Sequence, residues 1–78
     1  MINGLSTDAP MGDLTQRFGR QVRKVRLTLG ISQEELASRA GINTSHLGQI
    51  ERGQKSTTIL TACLIADALN SPLEALFR

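Results

Sequence analysis

The stretch SQEELASRAGINTSHLGQIERG, residues 32–53, decides the fold of this chain because it predicts two short helices joined by a tight turn. Ser32 is placed to cap the first helix, and Glu35, three residues later, can return the bond to the Ser32 N–H. Gly41 ends this helix, Asn43 can cap the next one, and the stretch closes on a glycine. A helix, a glycine-containing turn and a second helix are typical of a DNA-binding helix-turn-helix.

Three segments carry a family resemblance: SQEELA, AGI and the helix ending in QIERG, in this order and at this spacing. Together they resemble the Cro/repressor (XRE-type) helix-turn-helix family, over about residues 18–77. The resemblance implies a fold of the lambda-repressor-like type. It also implies a buried ion pair between Arg26 and Glu51, which would tie the first helix to the end of the recognition helix.

The flanking sequence predicts three more helices. The first, over about residues 13–29, has an apolar stripe at steps of three and four residues: Leu14, Phe18, Val22, Val25 and Leu29. Thr58 can cap a helix that runs to about residue 69, with one broad core face: Ile59, Ala62, Cys63, Ile65, Ala66 and Leu69. Pro72 can open a last short helix. Five helices and no strand predict a compact all-α five-helix bundle over residues 13–78, preceded by a flexible arm at residues 1–12.

Length and composition exclude several classes of protein. Seventy-eight residues make one small domain, near the lower limit for folding on a hydrophobic core alone. The single cysteine, Cys63, excludes an internal disulfide, and no Cys/His cluster suggests a metal, so neither a metal nor a cofactor is expected. No apolar run reaches the length of a membrane span, and no secretory signal opens the chain, so we expect a cytoplasmic protein. Paired acids and a phosphate loop are also missing, which argues against an enzyme.

Positive charge concentrates around the helix-turn-helix. Residues 14–55 hold eight basic and three acidic side chains, although the formal net charge of the chain is only +2. Such a cluster indicates contact with nucleic acid, while a solvated basic helix face is the common alternative. The candidate phosphate contacts are Arg17, Arg20, Arg39, Arg52 and Lys55. Arg20 and Arg39 could equally be solvent-exposed or paired with Glu34 or Glu35.

The resemblance places the sequence-reading side chains on the second helix of the motif, which enters the major groove in this docking mode. Position by position, the family pattern assigns base contacts to Asn43, Thr44, Ser45 and Gln49. It assigns a contact with the DNA backbone to Gln33, at the start of the motif's first helix. For Asn43, plain helix capping is the structural alternative.

Two residues of the second helix allow more than one interpretation. Gly48, expected to face outward, costs about 1 kcal/mol relative to alanine in a helix, so either close approach to DNA or a tolerated defect explains it. His46 can touch a phosphate at the groove edge or pack half-buried.

A second apolar stripe suggests a symmetric partner. Leu60 and Leu64 are four residues apart, on a different side of their helix from the core face, where relatives usually carry polar residues. Family members usually bind palindromic DNA as dimers. We therefore expect a homodimer through the C-terminal part of the chain, with this interface: Leu60, Leu64, Leu73, Leu76 and Phe77. The alternative for Leu73 and Phe77 is packing in the core of the monomer.

These patterns predict a sequence-specific transcriptional regulator that binds double-stranded DNA, with no small-molecule ligand, membrane or catalytic role. Its size is similar to that of restriction–modification controller proteins and small phage repressors. The acidic pair Glu34 and Glu35 makes RNA polymerase a further candidate partner. The alternative function is a protein-interaction module, such as an antitoxin that binds its partner protein through the same leucines.

Overall fold

The structure, a computed structural model, describes residues 12–78, and every regular element of that part of the chain is a helix. The four α-helices are α1 (Gly12–Leu29), α2 (Gln33–Ala40), α3 (Thr44–Glu51) and α4 (Ile59–Ala68). The all-α prediction is confirmed, but the fifth predicted helix is a 3-10 helix, Leu73–Phe77, because a five-residue segment holds barely more than one turn. Apart from Gly12, the predicted flexible arm lies outside the described residues.

The turn between α2 and α3 forms through local side-chain and backbone bonds. The Ser32 hydroxyl accepts from the Glu35 N–H at 3.0 Å. The Glu35 carboxylate accepts from Arg39 at 2.8 Å, so the reciprocal bond predicted from Glu35 to the Ser32 N–H gives way to a pair within α2. Gly41 has φ +73°, a left-handed conformation that favours glycine, and its N–H donates to the carbonyls that end α2. The left-handed turn at Gly41 sets the direction in which the chain continues from α2 to α3.

One apolar cluster joins all the elements. α1 packs on α3 and the 3-10 helix, and α2 packs on α3 and α4. The buried apolar side chains are Phe18, Val22, Leu36, Ala37, Ala40, Leu47, Ile50, Ala62, Ile65, Ala66, Leu69 and Leu76. A core this small leaves α3 supported from one side only, so its other side faces outward.

Three predicted core residues are exposed: Leu14, Leu29 and Ile59. At 1.5 Å per residue, the 18 residues of α1 extend about 27 Å, roughly twice the length of α2 or α3. The two ends of α1, with Leu14 and Leu29, therefore project beyond the helices that cover its middle. Ile59 opens α4 and borders, together with Leu14, an open groove beside Phe77.

The crossing of α1 and α3 depends on a glycine that the sequence patterns did not identify. Gly19 is buried, and a Cβ at this position would collide with the carbonyl oxygen of Ile50 and lie 2.9 Å from that of Glu51. The backbones of the two helices thus meet directly. A glycine in the middle of a long helix was the available signal for this contact.

Candidate nucleic-acid interface

The candidate interface begins at the N-terminus of α3, which Asn43 caps. The Asn43 Oδ1 accepts from the backbone N–H groups of Ser45 at 2.8 Å and His46 at 3.3 Å. The capping alternative for Asn43 is therefore realised. Its side-chain oxygen is occupied, and only its amide N–H groups remain to face a ligand.

A shallow depression brings together most of the residues that were assigned to DNA contact. Its lining comes from α2, α3 and the residue after α3: Gln33, Thr44, Ser45, Gly48, Gln49 and Arg52. Hydroxyl, carboxamide and guanidinium groups share this surface, so it offers both hydrogen-bond donors and acceptors together with a positive charge. Such a set can bind the edges of bases and phosphate oxygens at the same time.

The ion pair between Arg26 and Glu51 lies directly behind this depression. Arg26 donates to the two Glu51 carboxylate oxygens, from Nε at 2.7 Å and from Nη2 at 3.0 Å. Its Nη1 donates to the Ile31 carbonyl at 3.0 Å. Arg26 and Glu51 retain only 7% and 5% of their exposure. The pKa of Arg26 is raised above its ordinary value, chiefly by the hydrogen bond with Glu51. Burial of the guanidinium opposes this rise, and the negative charge of Glu51 adds to it.

Gln33 belongs to the same network, a contact that the sequence did not suggest. Its Nε2 donates to Glu51 Oε1 at 3.0 Å, so the carboxylate binds both the arginine behind it and the glutamine in front. The network of Arg26, Glu51 and Gln33 therefore joins α1, the end of α3 and the start of α2. Because Gln33 and Glu51 are 18 residues apart, no local spacing rule relates them.

Gly48 lies on the outward side of α3 and lines the depression, although neighbouring side chains cover it so that it is buried. Two side chains of the depression lie across it: a Cβ on Gly48 would be 3.3 Å from Arg52 Nη1 and 3.5 Å from Gln33 Oε1. Glycine at this position therefore lets Gln33 and Arg52 lie close to the backbone of α3.

The cationic candidates differ in exposure and pairing. Arg20 and Lys55 are exposed, as is Arg52, whose Nε donates to Gln54 at 3.1 Å. Arg39 is paired with Glu35, the second of the two alternatives left open for it. His46 is half-buried.

The residues assigned to a dimer interface separate into three groups by exposure. Leu60 and Leu64 are 68% and 38% exposed on α4. Leu73 and Phe77 are half-buried against the core, and Phe77 stacks on Phe18 with ring centroids 5.0 Å apart. Leu76 is completely buried inside the single chain, so its assignment to an interface is wrong. The 3-10 helix packs on α1 and α4, and Leu76 lies on the side of it that faces the core.

Comparison with known proteins identifies the fold family. A family model described as helix-turn-helix, HTH_3, matches residues 22–76, which include the whole depression and the ion pair behind it. The chain belongs to the HTH_3 family. Of the regions described, only the first part of α1 and the last two residues lie outside the match.

The relatives of this HTH_3 domain include transcriptional regulators and restriction–modification controller proteins. Control protein C.SmaI of Serratia marcescens is 31% identical over 64 residues, covering 82% of this chain and 76% of the relative. The restriction–modification controller C.AhdI of Aeromonas hydrophila is 35% identical with a TM-score of 0.79, covering 81% of this chain and 96% of that protein. The controller C.Esp1396I, solved as a tetramer with its natural 35 base-pair operator, is 28% identical with a TM-score of 0.77, covering 83% and 86%.

The described residues 12–78 contain neither a membrane-spanning helix nor a candidate metal site. No helix there is long and apolar enough to cross a membrane. That part of the HTH_3 chain also brings together no group of three or more His, Cys, Asp or Glu side chains that could hold a metal ion. Cys63, expected to be buried, is half-buried in α4 as a free thiol.

Proposed function

We propose that this protein is a sequence-specific transcriptional regulator that binds a palindromic operator as a homodimer, in the cytoplasm. The observation that carries the proposal is the polar depression on α3, where hydroxyl, carboxamide and guanidinium groups able to bind base edges and phosphates share one outward surface. The relatives support the same function, since their names describe controllers and regulators, one of them bound to operator DNA.

Base contacts are assigned to the outward side chains of α3. Gln49 can pair in a bidentate manner with adenine, and Thr44 offers a hydroxyl or a methyl group. Ser45 discriminates less between bases. Asn43 contributes through its amide N–H groups, because its oxygen caps the helix.

Contacts with the DNA backbone are assigned to the residues around α3. Arg52 and Lys55 are exposed cations at and after the end of the helix, and they position the protein without reading sequence. Gln33, Arg20 and His46 extend this contact. Arg39 has its charge offset by the pair with Glu35, so we assign Arg39 a minor share.

The dimer is proposed to form through Leu60 and Leu64. Two exposed leucines four residues apart on one helix make a continuous apolar strip, which a second copy related by a two-fold axis would cover. The exposed parts of Leu73 and Phe77 would border this strip. The two-fold axis would place two α3 helices about one turn of DNA apart, as a palindrome requires.

The regulatory mode is proposed to be repression or autoregulation of the controller type. Repression needs no surface beyond the DNA interface, because a dimer bound to DNA can block polymerase by its presence alone. An additional contact with RNA polymerase would fall to Glu34, which is exposed, because Glu35 is already paired with Arg39.

Selection from a random duplex pool, followed by affinity measurements against salt, tests this function. A regulator of this kind should enrich a palindrome and bind it with a steep negative dependence on salt. The matched variant is Arg52→Ala, which should lower the magnitude of the salt slope by about one without changing the enriched sequence. Weak binding without enrichment would refute the proposal and favour a protein partner for the exposed leucines.

A further inference from the structure

The Glu51 carboxylate binds two side chains with different surroundings. Both of its oxygens accept from Arg26, which is buried. Oε1 also accepts from Gln33 Nε2, and Gln33 lines the outward depression. The ion pair with Arg26 is sufficient to neutralise the buried carboxylate. The bond to Gln33 therefore requires a separate explanation.

This bond fixes which end of the Gln33 carboxamide faces inward. Glutamine in a helix ordinarily exchanges rotamers and can turn its amide by half a rotation, presenting either oxygen or nitrogen. With one N–H held by Glu51, Gln33 retains one N–H and its Oε1 for an outside partner. The side chain also lies across Gly48, where a Cβ would come within 3.5 Å of Oε1, so packing restricts it further.

We infer that Glu51 is a positioning residue for DNA binding: it holds Gln33 so that the second N–H is directed at a phosphate oxygen of the operator. The inference rests on the proposed function. It gives the buried ion pair a second role, because the carboxylate that stabilises the helix packing also prepares the interface before DNA arrives. Such preorganisation raises affinity by removing the cost of ordering a side chain on binding.

A purely structural role for Glu51 makes a different prediction. In that case the bond to Gln33 would only add to the stability of the fold, and Gln33 would contribute to DNA binding in the same way with or without Glu51. The two roles separate in a mutant cycle, since positioning makes the effects of Gln33 and Glu51 on affinity depend on each other.

The first measurement uses the free protein, without DNA. The side-chain amide of Gln33 should exchange its hydrogens more slowly, by NMR, than that of Gln16, which is exposed on α1. The paired exchange Arg26→Met with Glu51→Leu fills the same space without burying a lone charge, and it should remove this protection. Equal exchange rates for Gln33 and Gln16 in the natural sequence would overturn the inference.

The second measurement is a cycle of operator affinities with the enriched duplex. Gln33→Met keeps the shape of the side chain but loses its polar end, and it should weaken binding roughly tenfold, as expected for loss of a hydrogen bond to a charged group. The paired exchange should weaken binding to a similar or smaller extent. The variant that carries all three substitutions should bind the duplex no more weakly than Gln33→Met alone. If the triple variant instead loses affinity by the product of the two separate losses, the inference is overturned.

The salt dependence and a second variant complete the test. Because Gln33 is neutral, Gln33→Met should leave the salt slope unchanged, unlike Arg52→Ala. Should the paired exchange not fold, Glu51→Asp replaces it, since it keeps a charge for Arg26 and withdraws the carboxylate from Gln33. If no duplex binds at all, the proposed function and this inference both fall; operator binding with multiplied effects rejects the inference alone.

Discussion

A Cβ atom on Gly19 of α1 would lie 2.9 Å from the carbonyl oxygen of Glu51, the last residue of α3. Two helix backbones therefore touch at the point where the buried carboxylate begins its side chain. The position of α3, and with it the candidate interface, depends on the absence of a side chain at Gly19.

Gly19→Ala should destabilise the protein, although alanine is ordinarily better than glycine in a helix by about 1 kcal/mol. The added methyl group meets backbone carbonyls, which cannot rotate away, and overpacking of this kind costs about 1–3 kcal/mol. The free energy of unfolding in urea measures the effect. An unchanged or increased value would contradict direct contact between α1 and α3.

Gly48→Ala is the matched exchange on α3, and we expect the opposite effect on stability. Its methyl group would meet Arg52 Nη1 at 3.3 Å and Gln33 Oε1 at 3.5 Å, both at the ends of flexible side chains. The variant should gain up to about 1 kcal/mol from helix propensity. It should bind the operator more weakly, because Gln33 and Arg52 must move outward. A melting curve and a titration with the same sample measure both effects, and improved stability with undiminished affinity would refute the role of Gly48 in the interface.

Removal of one partner of the buried ion pair should be far more costly than removal of both. Arg26→Ala leaves the Glu51 carboxylate buried without its cation, which should cost about 3–5 kcal/mol. Arg26→Met combined with Glu51→Leu should recover most of that loss, since apolar side chains of similar volume replace the pair. Chemical unfolding of the three proteins gives the comparison. A double variant as unstable as Arg26→Ala would show that the cost arises from packing and not from the lone charge.

Asn43 has two assigned roles, and two substitutions distinguish them. Asn43→Ala should lose the cap of α3 and about 0.5–2 kcal/mol of stability. Asn43→Ser keeps an oxygen for the Ser45 and His46 N–H groups without adding a charge but removes the carboxamide, so stability should persist while operator affinity falls. Equal affinities of Asn43→Ser and the natural sequence would restrict Asn43 to capping.

The exposed leucines of α4 should control association and not folding. Leu64→Glu, combined with Leu60→Glu, should convert the proposed dimer to monomers in sedimentation and weaken operator binding, because one domain reads only half of a palindrome. Leu27→Glu, at a leucine of α1 that is 55% exposed, is the matched control and should leave the dimer intact. A dimer that survives the changes at Leu60 and Leu64 would place the interface elsewhere.

The sequence was informative where the cause of the structure is local. The caps at Ser32, Asn43 and Thr58 depend on bonds within three residues of chain, and all three form as predicted. Periodicity located the four α-helices, yet it could not tell that the ends of α1 extend past their neighbours, which exposes Leu14 and Leu29.

The candidate site was less accessible to prediction because it depends on distant residues. The types of side chain on α3 were readable, but the cover over Gly48 requires α2 to lie beside α3. The bond from Gln33 to Glu51 likewise requires the turn angle and the ion pair to be in place first. Leu76 was misassigned for the same reason, since only the path of the chain after α4 decides which face of the last element is covered.

The stacking of Phe77 on Phe18 has a consequence for biosynthesis. These rings close the core by joining residues separated by nearly the whole described chain, and Leu76 fills the space beside them. While residues 73–78 are still inside the ribosomal exit tunnel, Phe18 lacks the ring of Phe77 that packs on it. The core of this domain is therefore completed only after that segment has left the tunnel.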